Sequence, residues 1–301
     1  MDKPRRDALR RHLEVEVGND RRGNAILMQH VFSHFAGPGL VVCRRSFGDH
    51  ALSFDPRCDK IGMSVLAGRD YQRHLLTRAL AIVAREGRSG GIFVDVGANI
   101  GVMSVYAHVS RLIRHVIAIE PDVHNQSICS LNFVDNGLIP RDRPDEPQKT
   151  WVFLGAAGAS HERATLHLDG RNFGRHSLVP DAVATPAGTA HVDVRPLDDW
   201  IELGHGQVSE LSLVKIDVEG YELDVLRGAS QLMAARVPIM VELTGCQSDR
   251  HRYAAFRDLV DRDYTYVADL THLPNRDTGF VDAVPISAFV PTADQHDLLV
   301  Y

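Results

Sequence analysis

The chain predicts an α/β fold: a doubly wound, mostly parallel sheet with helices on both faces, behind an N-terminal helix and hairpin extension. Three observations predict it. Five strongly apolar runs recur between residues 91 and 245: GIFVDVGA, HVIAIEP, WVFLGAAG, LSLVKIDVEG and VPIMVELTG. Strands that are apolar on both faces belong inside a covered parallel sheet. Helical periodicity follows the first two runs, through Met103, Tyr106 and Val109 and then through Ile128, Leu131 and Val134, so strand and helix alternate as in right-handed βαβ units. The first run also ends in a glycine-bearing turn that opens a helix, the usual strand-to-helix junction of such sheets.

Taken in order, residues 1–70 read as the extension. A polar helix at the start leads to a mixed segment, Ala25 to Phe35, that ends at Gly37-Pro38-Gly39. Two β-type runs, LVVCRRSF and HALSF, flank a turn at Gly48-Asp49. The main domain is expected over 71–301. It opens with a helix from Tyr71 to Arg85 that carries Leu75, Leu76, Ala79, Ile82 and Val83 on one face. The segment 140–149, PRDRPDEPQK, reads as a solvated loop. An insertion at about 160–196 carries two short strands, ATLHLDG and HVDVRPL, around RNFGRHSL.

Composition narrows the function. The 301 residues hold 33 Lys plus Arg against 39 Asp plus Glu, a net charge of -6, which speaks against a dedicated nucleic-acid binder. The start, MDKPRRDALRRHLEVEV, has no apolar segment behind its charges, so no secretory signal is expected, and no run is long enough to span a bilayer. Cys43, Cys58, Cys129 and Cys246 form no CxxC pair and read as reduced thiols of a cytoplasmic protein. His30 and His34 have a metal-like spacing but no third ligand, so no metal site is expected.

Chemistry gathers at two places. The first is Asp95-Val96-Gly97-Ala98-Asn99-Ile100-Gly101, where glycines permit close backbone approach and the helix N-terminus offers free N–H groups. Glu120 ends the next strand, where a carboxylate can accept both hydroxyls of a ribose. A dinucleotide site would carry G-x-G-x-x-G, but the sixth position counted from Gly97 is Val102. Asp95 would also repel a pyrophosphate. S-adenosylmethionine, a cationic nucleoside, satisfies both acids, with its ribose on Glu120 and its amino-acid end near Asp95. The second place is Lys215-Ile216-Asp217-Val218-Glu219-Gly220-Tyr221-Glu222 at the end of the fourth strand, with Glu242 ending the fifth on the same rim. Glu219 and Glu222 can equally be read as acids opening the following helix.

FVDVGANIG, AIEP, SLVKIDVEGYELDVLRGA and IMVEL together resemble the FkbM-type S-adenosylmethionine-dependent methyltransferases, with D-V-E-G-x-E followed by VLRGA as the most specific piece. LNFVDNGL and RPLDDWI extend the resemblance to roughly Tyr71–Leu243. It implies the class I (Rossmann-like) methyltransferase fold and methyl transfer to a hydroxyl of a sugar, glycolipid precursor or secondary metabolite. It implies cofactor contacts from Asp95, Gly97, Ala98, Asn99, Gly101, Glu120, Pro121, Ala157 and Asp217. It puts Asp217 near the reacting centre as the first candidate base, His176 as the second, and Glu219 beside them. Asn172, Arg175 and Glu242 become acceptor contacts, the first two within Asn172-Phe173-Gly174-Arg175-His176-Ser177-Leu178, which resembles the family's variable loop. The third run ends in Gly155-Ala156-Ala157-Gly158, with no Asp or Asn for the adenine amino group. An NAD(P)-dependent dehydrogenase, a non-catalytic cofactor- or partner-binding protein, and an RNA 2′-hydroxyl methyltransferase remain as rival readings. The expected partner is a small-molecule or glycan acceptor.

Overall fold

The computed structural model describes residues 42–58, 60–139 and 149–301. The expected N-terminal helix, the Ala25–Phe35 segment, the His30/His34 pair and nearly all of the 140–149 loop lie outside these residues. The chain divides into two compact units, Met1–Tyr71 and Gln72–Tyr301. In the first, β1 (Cys43–Ser46) and β2 (Ala51–Phe54) pair antiparallel in the register Cys43↔Phe54 and Ser46↔Ala51. The Gly48-Asp49 turn is closed by the Phe47 N–H donating to the His50 carbonyl at 2.7 Å. Helix α1 (Ile61–Leu66) follows.

The second unit opens with α2 (Arg73–Arg85), which buries Leu75, Leu76, Ala79, Ile82 and Val83. Strand and helix then alternate: β3 (Ile92–Val96), α3 (Val102–Val109), β4 (His115–Glu120), α4 (Val123–Asp135) and β5 (Trp151–Leu154). After the insertion come α5 (Leu197–Leu203), β9 (Leu211–Ile216), α6 (Glu222–Arg227), α7 (Ser230–Ala234), β10 (Ile239–Thr244) and α8 (Arg250–Val260). The chain finishes with β11 (Tyr266–Asp269), β12 (Ala283–Pro285) and β13 (Gln295–Val300). The sheet order is β12-β11-β13-β10-β9-β3-β4-β5. The strands from β5 to β10 are parallel, and β13 runs against both β10 and β11. Alternation sorts the side chains by face. Val94, Val96, Ile117, Ile119, Val214 and Ile216 pack with residues of α5 to α8, while Phe93, Asp95, Val116 and Lys215 fall on the other face, where α3 lies against β3 and β4.

Two features depart from the sequence reading. The third apolar run is not one strand of the sheet interior. It breaks at Gly155, where a Cβ would lie 2.6 Å from the Trp200 ring, so only glycine lets the backbone pass. Before the break, β5 is the sheet edge. After it, β6 (Ala156–Ala157) joins a separate sheet of order β6-β8-β7. In that sheet the insertion is a longer hairpin than expected, β7 (Glu162–Asp169) against β8 (Pro186–Arg195). Residues beyond β10, left unread in the sequence, complete the large sheet.

Candidate active site at the sheet crevice

β3 and β9 are neighbours, Val96 beside Ile216, but their connections run to opposite sides, to β4 and to β10. The strand order therefore reverses between them, which opens a crevice at their carboxyl ends. Gly97 and Asp217 face each other there. A Cβ on Gly97 would sit 1.9 Å from the Asp217 carbonyl oxygen, and its φ of +73° independently favours glycine. The Gly97 and Ala98 N–H groups donate to the Ile119 carbonyl at 3.0 and 3.1 Å. The turn is thus strapped to the strand that ends in Glu120.

Beneath the turn lies a buried charge network. Lys215 Nζ is 3.3 Å from Asp95 Oδ1 and 3.2 Å from Asp217 Oδ2, and it donates to the Gly97 carbonyl at 3.3 Å. Burial alone would lower the Lys215 pKa, but the Asp217 and Asp95 carboxylates outweigh it and raise the value above the ordinary one. Ser104 Oγ donates to the other Asp95 oxygen at 2.7 Å. Asp95 is 0% exposed and is held between Lys215 and Ser104. It acts through Lys215 and the turn. Lys215 escaped the sequence reading, although a lysine inside an apolar strand was its signal.

Glu120 is also buried. It accepts from Asn99 N at 2.8 Å and from Asp122 N at 3.0 Å. Burial still pushes its pKa up to about 7, with those donors and the Asn125 amide opposing. Asp122 caps α4 by accepting from Asn125 N, and Pro121 stands between the two acids. Asn99 sits at φ +51°, a left-handed conformation that asparagine tolerates.

On the other side of the crevice, Glu242 is hydrogen-bonded to Asp217. That carboxylate, followed by burial, holds the Glu242 pKa well above the carboxylate range. Gln295 Nε2 donates to Glu242 Oε1. Asp297, paired in register with Glu242, is pushed up to about 6 by burial and then by Asp217. Asp297 and Gln295 come from the unread C-terminal strand. Glu222 is buried: it accepts from Gly220 N at 2.8 Å and pairs with Arg252. It therefore braces the loop after Asp217 from inside. Glu219, at φ +49°, lies 3.6 Å from Arg175 and accepts through its carbonyl from Ser177 Oγ at 2.6 Å. Among the described residues, no three His, Cys, Asp or Glu are grouped to hold a metal ion.

That last bond brings the insertion to the crevice. The Phe173 carbonyl accepts from Asn99 Nδ2 at 3.1 Å and Asn125 Nδ2 at 2.8 Å, so the 172–178 segment lies over the ends of β3 and β4. Asn172 is buried, and its Oδ1 accepts from Gly174 N at 3.1 Å. That oxygen shapes the loop. His176 Nδ1 accepts from Asp169 N at 2.9 Å, and burial lowers the ring's pKa. With Nδ1 taken as an acceptor, the neutral ring carries its proton on Nε2. It therefore has no free lone pair with which to act as a base. Ala157 is buried in β6 against the core. The structure thus brings together Gly97, Ala98, Asn99, Gly101, Glu120, Asp217, Glu219, Glu242 and Arg175, while Asp95 and Ala157 are buried and the Asn172 Oδ1 is turned to its own loop.

The family profile described as the methyltransferase FkbM domain matches residues 95–268. Methyltransferase FkbM from Methylobacillus flagellatus KT is 19% identical at a TM-score of 0.41, over 70% of this chain and 44% of that one, so the chain spans less than half of that protein's length. Trm1 from Pyrococcus horikoshii, solved with S-adenosyl-L-methionine, is 12% identical at a TM-score of 0.38, over 84% of this chain and 72% of that one. Precorrin-6y C5,15-methyltransferase from Geobacter metallireducens GS-15 is 12% identical at a TM-score of 0.34, over 73% and 86%. No curated protein sequence matches the chain.

Proposed function

The chain belongs to the FkbM methyltransferase family, with the class I methyltransferase fold, and from that premise we propose that it is an S-adenosylmethionine-dependent O-methyltransferase. Its acceptor is a hydroxyl of a sugar, a glycolipid precursor or a secondary metabolite. The observation that carries the reading is the meeting of the Gly97–Gly101 turn, Glu120 and Asp217 at one crevice. The residues fit the cofactor. Each oxygen of the buried Glu120 carboxylate accepts one backbone N–H, from Asn99 and Asp122, and has a further lone pair for a ribose hydroxyl. Gly97, Ala98, Asn99 and Gly101 give a close backbone surface, and Pro121 borders it.

When bound, S-adenosylmethionine supplies a methyl group on a cationic sulfur that departs as a neutral thioether. The protein's own work is alignment and proton handling. Asp217 accepts the proton of the acceptor hydroxyl at its carboxylate. Lys215 and Glu242 hold that carboxylate in one orientation. A carboxylate suffices as the base, because a hydroxyl oxygen gaining a methyl group becomes strongly acidic. Arg175 and Glu219, at the insertion's edge, orient the acceptor. No helix of the described residues is long and apolar enough to cross a membrane. We assign the protein to the cytoplasm, a placement supported by its four free cysteines.

The test is calorimetry with S-adenosylhomocysteine and NAD, followed by methyl transfer to a panel of hydroxylated acceptors. Binding of the first and not the second is expected. NAD binding alone would favour the dehydrogenase, and cofactor binding without transfer to any acceptor the non-catalytic reading. Asp217→Asn should cut turnover by about 10²–10⁴ and leave S-adenosylhomocysteine affinity within a few fold.

A further inference from the structure

A class I sheet that takes an adenine nucleoside needs a wall for the base beyond the ribose acid, and the end of β5 offers none. Leu154 is 51% exposed, Gly155 is filled by the Trp200 ring, and Ala156 and Ala157 are buried in the small sheet. The 172–178 segment of the insertion instead lies over Asn99 and Asn125, beside the ribose acid. Phe173, His124 and His176 form a half-buried cluster of rings beside Asp122 and Glu120. His124 and Phe173 meet edge to face at 5.6 Å, and Phe173 and His176 lie 6.1 Å apart. The cluster is held from both halves of the nucleoside site. Asn99 on the glycine turn and Asn125 on α4 both donate to the Phe173 carbonyl, which uses both lone pairs of that oxygen.

The far side of the loop is equally fixed. Asp169 accepts from the N–H groups of Arg171 at 2.9 Å, Asn172 at 2.8 Å and Thr185 at 3.1 Å, and from the Thr185 hydroxyl. Its own N–H donates to His176 Nδ1. The imidazole is thereby oriented, and its Nε2–H remains as a donor. A neutral aromatic surface with one N–H donor, next to a ribose-type acid, matches the face and ring nitrogens of a purine. The cation of the segment, Arg175, is turned to Glu219 and the Ala182 carbonyl.

We propose that the 172–178 segment, with His124, is the adenine wall of the cofactor site: Phe173 and His124 pack on the purine face, and the His176 Nε2–H donates to a purine ring nitrogen. This rests on the methyltransferase reading, for which it supplies the base-recognition element missing from the third strand. It also gives the insertion a cofactor role in addition to any acceptor contact through Arg175.

The experiment measures S-adenosylhomocysteine and adenosine binding by calorimetry, with melting curves to verify folding. Phe173→Ala and His124→Ala should each weaken both ligands by roughly 10- to 100-fold, the scale of losing one base-stacking partner. Phe173→Tyr should bind within about threefold of wild type. His176→Asn keeps an acceptor for the Asp169 N–H and removes the Nε2 donor, and should cost about 3- to 10-fold, as for one neutral hydrogen bond. Phe173 is half-buried, the melting curves show whether its replacement leaves the fold intact, and His124→Ala is an independent second variant. Wild-type binding of S-adenosylhomocysteine, with Phe173→Ala and His124→Ala both within twofold of it, would overturn the wall and leave the methyltransferase reading standing. Failure of the wild type to bind either ligand would overturn both.

Discussion

Replacing Lys215 with methionine tests the buried charge network most directly. Methionine fills a similar volume but carries no charge, so Asp95, fully buried, would lose the Lys215 ammonium at 3.3 Å and, among the described residues, keep the Ser104 hydroxyl. Removing one partner of a buried ion pair costs about 3–5 kcal/mol. For a folding unit of this size each kcal/mol moves the melting midpoint by about 2–4 °C, so Lys215→Met should melt roughly 6–20 °C below wild type at pH 7.5. The sign with pH follows from the native pairing. Lys215 has a raised folded pKa, so its contribution is fully present below the unfolded lysine value and is lost only as pH rises through the folded one. At neutral pH the whole contribution is therefore at stake. Adding Asp95→Asn to Lys215→Met should recover much of the loss. Scanning calorimetry at pH 7.5 decides it. A midpoint within about 2 °C of wild type at pH 7.5, or no recovery in the double variant, would refute the reasoning.

Other predictions can be checked with the same protein. Glu120 has a folded pKa near 7, above its unfolded value. The native state thus holds an extra proton between about pH 4.5 and 7, and its contribution turns against folding as pH rises through that window. Glu120→Gln should therefore raise the ligand-free melting midpoint at pH 8 more than at pH 5, while weakening S-adenosylhomocysteine by at least tenfold in calorimetry. Gly97→Ala puts a Cβ into the Asp217 carbonyl at a positive φ. It should cost more than about 1 kcal/mol in denaturant unfolding and abolish cofactor binding. Glu242→Gln retains a donor toward Asp217 and should keep most of the turnover, whereas Glu242→Ala should lose it; equal rates would remove Glu242 from the site. Methyl transfer should persist in EDTA, and loss with restoration by Mg²⁺ would make the crevice acids metal ligands.

Much of this was readable from residue type and spacing. GIFVDVGANIG declares a strand, a turn and a helix start within eleven residues, because each signal is local. Glu120 and Asp217 were legible for the same reason, each standing as the first acid after an apolar run. What escaped depends on pairing across the chain. β13 is an apolar triplet, Leu298-Leu299-Val300, whose place between β10 and β11 no local pattern encodes. Asp297 opposite Glu242 followed it out of view. Gly155 resembled one more small residue in WVFLGAAG until the Trp200 ring, 45 positions on, was seen to occupy its Cβ space. His176 carried the right chemistry for a base, and a backbone N–H seven residues earlier in the chain removed that role.

The antiparallel position of β13 bears on how the molecule is made. Residues 295–300 form an interior strand, pairing with β10 through six residues and with β11 through three. During synthesis from the N-terminus, β3, β4, β5, β9 and β10 can assemble first, leaving β10 as a temporary open edge. β11 and β12 emerge earlier than β13 but have no place in the sheet until β13 arrives to bridge them to it. Late, non-local pairing of this kind is slow, and an open edge in the interval invites pairing with another chain. Pulse-labelled hydrogen exchange during refolding should protect the amides of β3 and β9 before those of β11. Simultaneous protection would mean that the sheet closes in a single step.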